Sequence, residues 1–131
     1  MSVRVLIADD SAEYRDILAG MAGSLGWEAQ VCADGASAIE TARRVRPQLA
    51  ILDIGLPDMD GFALCRGLRA LPGAEQLPVI LISGTYRRDE DRLRGLSDGA
   101  IDFLEKPFRL AELISKAKAL ARDYGGEDTA R

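Results

Sequence analysis

A chain of 131 residues, 47% hydrophobic and 29% charged, fits one soluble globular domain of ordinary size. A net charge of -4 argues against a nucleic-acid platform, which would carry a basic patch. No apolar run approaches the ~20 residues of a membrane span. The absence of histidine removes Ser-His-Asp and Cys-His catalysis and imidazole-based zinc sites, leaving carboxylates, hydroxyls and lysine as the sources of chemistry.

The first apolar run, Val3–Ala8, follows the start directly, with no signal-peptide pattern before it. The two cysteines, Cys32 and Cys65, lie far apart in no CxxC pattern. They read as reduced, small, buried or half-buried residues of a cytoplasmic protein. The first run ends in Asp9-Asp10, and Ser11 is placed to cap a helix carrying Tyr14, Ile17, Leu18, Met21 and Leu25 at helical spacing. The second run, Trp27–Cys32, alternates, with Trp27, Ala29 and Val31 against Glu28 and Gln30.

The third run, Gln48–Asp53, holds four consecutive apolar residues and then stops on a carboxylate. A Gly-Pro loop follows, in which Asp60 is placed to cap the next helix and Asp58 also reads as structural. The fourth run, Leu77–Ser83, ends on a hydroxyl. "GTYRRDEDRLRG", from Gly84, reads as a solvated helix face. The fifth run, Ile101–Glu105, leads into Lys106-Pro107, and a last helix places Leu110, Leu113, Ile114, Ala117, Leu120 and Ala121 on one face. Gly26, Gly35, Pro47, Gly73 and Gly99 punctuate the joins.

This βα alternation predicts a doubly wound α/β fold, a parallel five-stranded sheet with helices on both faces. "VLIA", "LAIL" and "VILI" are continuous apolar runs, as central strands require, whereas the second and fifth runs mix polar residues as edges do. The strand order 2-1-3-4-5 satisfies both conditions. The domain is expected over residues 1–122, with 123–131 a polar tail or the start of a linker.

Ligands of such sheets bind at the C-terminal ends of the strands. The predicted order brings Asp9, Asp10, Asp53, Ser83 and Lys106 to one such rim. Taken singly, each has an ordinary explanation as a cap, a turn or a solvated side chain. Together, three carboxylates without a counter-ion would repel one another, and a hard divalent cation such as magnesium removes that conflict. The set suits phosphoryl transfer. Asp53 would be the nucleophile, Asp9 and Asp10 would hold the metal, and Ser83 and Lys106 would serve the phosphoryl oxygens.

At these residues the chain resembles the receiver domain of two-component response regulators, the CheY-like fold. The matching pieces are "VLIADDS" (5–11), "LAILDIGLPDMDGFALCRGLR" (49–69), "PVILISG" (78–84) and "DFLEKPF" (102–108). The resemblance implies a signalling phosphoprotein that catalyses only its own phosphorylation and dephosphorylation. Asp53 would be the phosphoacceptor, and Asp9, Asp10, Asp53 and the backbone carbonyl of Gly55 would bind magnesium. Ser83 would close onto the phosphoryl group, Phe103 would be the aromatic switch that turns inward, and the Lys106–Pro107 bond would be cis. The implied partners are a sensor histidine kinase or phosphotransfer domain and a downstream output protein or domain, with a homodimer left open. Neither nucleic acid nor membrane is expected to bind the domain directly. The output surface would form around the fourth helix, fifth strand and fifth helix. Gly55 offers no side chain to the metal or to an attacking water, and Thr85 is short and neutral where some relatives carry an acid or amide, which leaves the lifetime of the phosphorylated state open.

Two rivals share the sheet. A haloacid-dehalogenase-type phosphatase requires DxD at the nucleophile, but here Asp53-Ile54-Gly55 lacks the second acid. A phosphorylation-independent interaction module would have no use for the intact acidic set.

Overall fold

The computed structural model of the chain describes residues 3–84 and 102–121. The strands are β1 (Arg4–Ala8), β2 (Glu28–Cys32), β3 (Leu49–Asp53), β4 (Val79–Ser83) and β5 (Asp102–Glu105). The helices are α1 (Ala12–Ser24), α2 (Gly35–Val45), α3 (Gly61–Arg69) and α4 (Leu110–Leu120), the last being the fifth helix of the sequence reading. Thr85, the stretch from 85 to 101 and the tail from Arg122 lie outside the described residues. All strand pairs are parallel and the sheet order is β2-β1-β3-β4-β5, as expected. Among the described residues no helix is long and apolar enough to cross a membrane.

The uninterrupted apolar runs are the cause of this layering. On one face of the sheet Leu6, Ala8, Leu52 and Leu81 pack with Ala38 and Ala42 of α2 and Phe62, Leu64 and Leu68 of α3. On the other, Val5, Ile7, Ile51 and Ile80 pack with Leu18 and Met21 of α1 and Leu113 and Ala117 of α4. Leu6, Ile7, Ile51, Leu52, Ile80 and Leu81 are fully buried, each contributing roughly 1.5–3 kcal/mol relative to exposure.

Three apolar positions expected inside are exposed: Ile17, Val31 and Leu110. Helical spacing defines a stripe without fixing its margins. Along α1 the inward places go to Leu18, Met21 and Ala22, and along α4 to Leu113, Ala117 and Leu120. Val31 lies on the edge strand, which has a neighbour on one side only, so its apolar face is closed less completely.

The helix starts are fixed by side chains. Ser11, Asp34 and Asp60 accept hydrogen bonds from the backbone N–H groups of Tyr14, Ser37 and Ala63. Asp58 reaches across from the β3–α3 loop and accepts from Gly35 N at 2.8 Å and Ala36 N at 2.9 Å, at the start of α2. Those two N–H donors hold its carboxyl below the usual aspartate range. The isolated Gly55–Asp60 bridge and the hydrogen bond from Gly61 N to Ile54 O close the same loop.

Gly61 lets α3 begin directly against the end of β3. A Cβ at this position would lie 2.7 Å from both the Asp53 carbonyl oxygen and Ile54 Cα, and backbone cannot move aside cheaply. At Gly35 a Cβ would instead meet the side chain of Met59, 2.5 Å from its Cγ, and that flexible chain can swing away. Gly61→Ala is therefore expected to destabilise the fold by about 1–3 kcal/mol and Gly35→Ala by distinctly less. Urea unfolding of the two variants checks this, and equal losses would contradict it.

Candidate functional site

The topology brings four of the predicted side chains together. Ala8 pairs with Leu52 in register, so the residues that follow them, Asp9 and Asp53, end adjacent strands side by side. Both are buried, at 0% and 6% exposure, while Asp10 is exposed. Ligand oxygens of Asp9, Asp10 and Asp53 all lie within 4.8 Å of one another. Lys106 enters from the end of β5, with Nζ 3.0 Å from Asp9 Oδ2 and 3.8 Å from Asp53 Oδ1. Its backbone N–H donates to Ser83 O at 2.7 Å, and the Lys106–Pro107 peptide is cis, as the resemblance implied.

Local hydrogen bonds hold Asp9 in place. Its Oδ1 accepts from Ser11 N at 2.9 Å, its carbonyl accepts from Arg15 Nη1 at 2.9 Å, and its own N–H donates to Cys32 O. Asp9 Oδ2 has the Lys106 ammonium beside it but receives no aligned hydrogen bond. A buried carboxylate oxygen without such a donor, facing two further acids, fits a hard divalent cation. Magnesium bound by one or two carboxylates plus water is the usual form.

Asp53 shows the cost of the arrangement. Its carboxyl is pushed up from 3.8 to about 6, first by burial and then by Asp9, with a smaller rise from Asp10. Lys106 and a hydrogen bond from the Gly55 backbone pull the other way. Gly55 itself is exposed, and a Cβ on it would sit 3.7 Å from Asp53 Oδ2.

Ser83 is buried at the end of β4, one residue beyond Ile82, the register partner of Asp53. Phe103 is 3% exposed and packs in the core beside its register partner Leu81, so in this conformation its ring already lies inward. The rim also contains residues that sequence patterns did not single out for the site. Tyr14, expected only as part of an apolar stripe, places its ring 4.0 Å from Lys106 Nζ. Arg15 was not singled out, and Ser11 was assigned only a capping role.

A doubly wound parallel sheet with an acidic trio and a lysine at its C-terminal rim defines a CheY-like α/β domain. The response regulator receiver domain model matches residues 5–118. The chain is 40% identical to Transcriptional regulatory protein PrrA of Mycobacterium leprae, over 98% of this chain and 54% of that protein. CheY4 of Vibrio cholerae matches with a TM-score of 0.85 at 27% identity, over 92% of this chain and 99% of that one. The signal receiver domain of a signal transduction histidine kinase from Syntrophus aciditrophicus matches with a TM-score of 0.81 at 34% identity, over 91% of this chain and 89% of that one. The chain belongs to the response regulator receiver domain family of two-component signalling. It spans about half the length of the curated relatives it matches.

The raised Asp53 pKa has a definite sign in stability. Below pH 3.8 Asp53 is protonated in both folded and unfolded chains. Between 3.8 and about 6 the folded state keeps a proton that the unfolded state has released, so stability falls as pH rises, and above about 6 the loss is complete. Without divalent metal, Asp53→Asn is expected to be more stable than the parent at pH 7.5, on the order of 2 kcal/mol after allowance for solvent screening. The advantage should vanish near pH 3.5. Thermal melts in chelator across this range measure it, and a pH-independent difference would contradict the assignment.

Proposed function

We propose that the chain is a magnesium-dependent phosphoacceptor switch in which Asp53 receives a phosphoryl group from a phosphohistidine on a partner. The observation that carries this reading is Asp53 itself, a buried carboxylate closing a central strand beside an ammonium and two further acids. The sequence has no histidine, so the donor imidazole lies outside this chain, on a sensor histidine kinase or phosphotransfer domain.

In the proposed transfer a carboxylate oxygen of Asp53 attacks phosphorus as the donor's P–N bond breaks. The imidazole nitrogen keeps the electron pair and takes up a proton. The product is an acyl phosphate, which carries one more negative charge at the rim than the carboxylate did. Lys106 neutralises one phosphoryl oxygen and the Ser83 hydroxyl donates to another. Asp9, Asp10 and Asp53, with the carbonyl of Gly55, would hold magnesium, which when bound supplies charge neutralisation at the phosphoryl oxygens. The same residues serve only the domain's own phosphorylation and dephosphorylation.

The acyl phosphate then biases a two-state equilibrium involving residues 83–88, of which 85–88 lie outside the described residues, and Phe103, and so changes the surface around the expected fourth helix, β5 and α4. That surface would face an output protein or domain. The proposed receiver unit spans residues 1–122, with 123–131 a polar tail or the start of a linker.

Asp53→Asn keeps the shape of the side chain but removes the nucleophile, so labelling by acetyl phosphate or a donor kinase should disappear. Undiminished labelling of that variant would sink the assignment. Magnesium at 100 times its Kd should stabilise the parent by about 2.7 kcal/mol. Asp10→Asn should lose most of that gain. Equal magnesium-induced shifts in melting temperature for the two proteins would remove Asp10 from the ion's ligands.

A further inference from the structure

We propose that Tyr14 is a positioning residue for Lys106, holding its ammonium over the paired carboxylates through the face of the aromatic ring. The geometry is a three-sided seat. Asp9 Oδ2 lies 3.0 Å from Nζ, Asp53 Oδ1 lies 3.8 Å away, and the centroid of the Tyr14 ring lies 4.0 Å away. A cation this close to a ring face is attracted by the ring's quadrupole, and the attraction grows as water is removed. The Lys106 side chain is only 13% exposed, which satisfies that condition.

The ring is itself anchored. Tyr14 stands in the first turn of α1, where its backbone N–H donates to Ser11 Oγ at 3.2 Å. Ser11 N in turn donates to Asp9 Oδ1, and Arg15, the next residue, donates to the Asp9 carbonyl. Tyr14 also meets Phe108 in a tilted pair, with centroids 5.8 Å apart. Phe108 is two residues after Lys106. Tyr14 thus touches both the reacting lysine and the segment that follows it, while its own turn is bonded to Asp9.

This arrangement confines a flexible side chain. Lysine has a four-carbon stem and three rotatable donors, and its ammonium would otherwise sample solvent at the rim. Two carboxylates attract it but do not fix its approach. The ring adds a third contact beside the two carboxylates and so narrows the space the ammonium can sample. A positioned cation adds to transfer because it is already in place when negative charge develops.

The inference rests on the phosphoacceptor reading for its kinetic effect but not for its geometry, and two measurements keep these apart. The first is the rate of Asp53 labelling by acetyl phosphate in the intact chain. Tyr14→Phe, which keeps the ring, should stay within about twofold of the parent, whereas Tyr14→Leu should slow labelling roughly three- to tenfold. Fluorinated phenylalanines at position 14 preserve shape while draining the ring face, so the rate should fall steadily with each added fluorine even if Tyr14→Leu folds poorly. A flat fluorine series, or Tyr14→Phe as slow as Tyr14→Leu, would overturn the proposal.

The second measurement is the NMR shift of the Lys106 ε-methylene protons without phosphodonor. Ring current should move them upfield in the parent and in Tyr14→Phe, and a shift unchanged in Tyr14→Leu would also overturn the proposal. Failure of the parent to become labelled at all would refute the phosphoacceptor reading, while the ring-current result would still decide the placement of Tyr14.

Discussion

The rim is organised by the burial of negative charge at the ends of neighbouring strands. Asp9 and Asp53 follow residues that pair in register, so the sheet itself forces their carboxylates together. Two unit charges 4 Å apart repel by about 4 kcal/mol at an effective dielectric constant of 20. Lys106, 3.0 Å from one and 3.8 Å from the other, offsets part of this, yet Asp53 remains raised to about 6. The remaining contacts of the rim follow from the same need. Ser11 and Arg15 fix Asp9, the Ser83 carbonyl fixes the backbone of Lys106, and the Tyr14 ring lies 4.0 Å from the ammonium.

The layered sheet was legible because its cause is local and repeated. Uninterrupted apolar runs such as Leu49–Leu52 cannot be solvated, and only a strand covered on both faces uses them fully. Once the order of strands is inferred, each residue at a strand's C-terminal end acquires neighbours, which is how Asp9, Asp10, Asp53 and Lys106 group from the sequence alone. Side-chain paths are a different matter. Tyr14 fits a helical stripe as well as Leu18 does, and nothing local to it shows that a lysine 92 residues further along ends 4.0 Å from its ring. The contact depends on the route of four flexible bonds from β5. The margins of the stripes failed for a related reason. Periodicity places Ile17 and Leu110 near the inward face, but the neighbouring elements decide where cover stops.

Asp53 and Asp58 show why counting acids in a loop does not locate chemistry. They are the same residue type, five positions apart, and the structure moves their carboxyls in opposite directions. Asp53 is buried beside Asp9, and the backbone N–H it receives from Gly55 does not offset the loss of water. Asp58 reaches two backbone N–H groups at the start of α2, where the ends of peptide dipoles favour an anion. Its charge is thereby satisfied within the fold and leaves little for a ligand to gain. At Asp53 the ionised form stays costly even beside Lys106, and Asp9 Oδ2 next to it still lacks an aligned donor. Of these two acids, the proposed phosphoacceptor is the one whose ionised form the fold satisfies less.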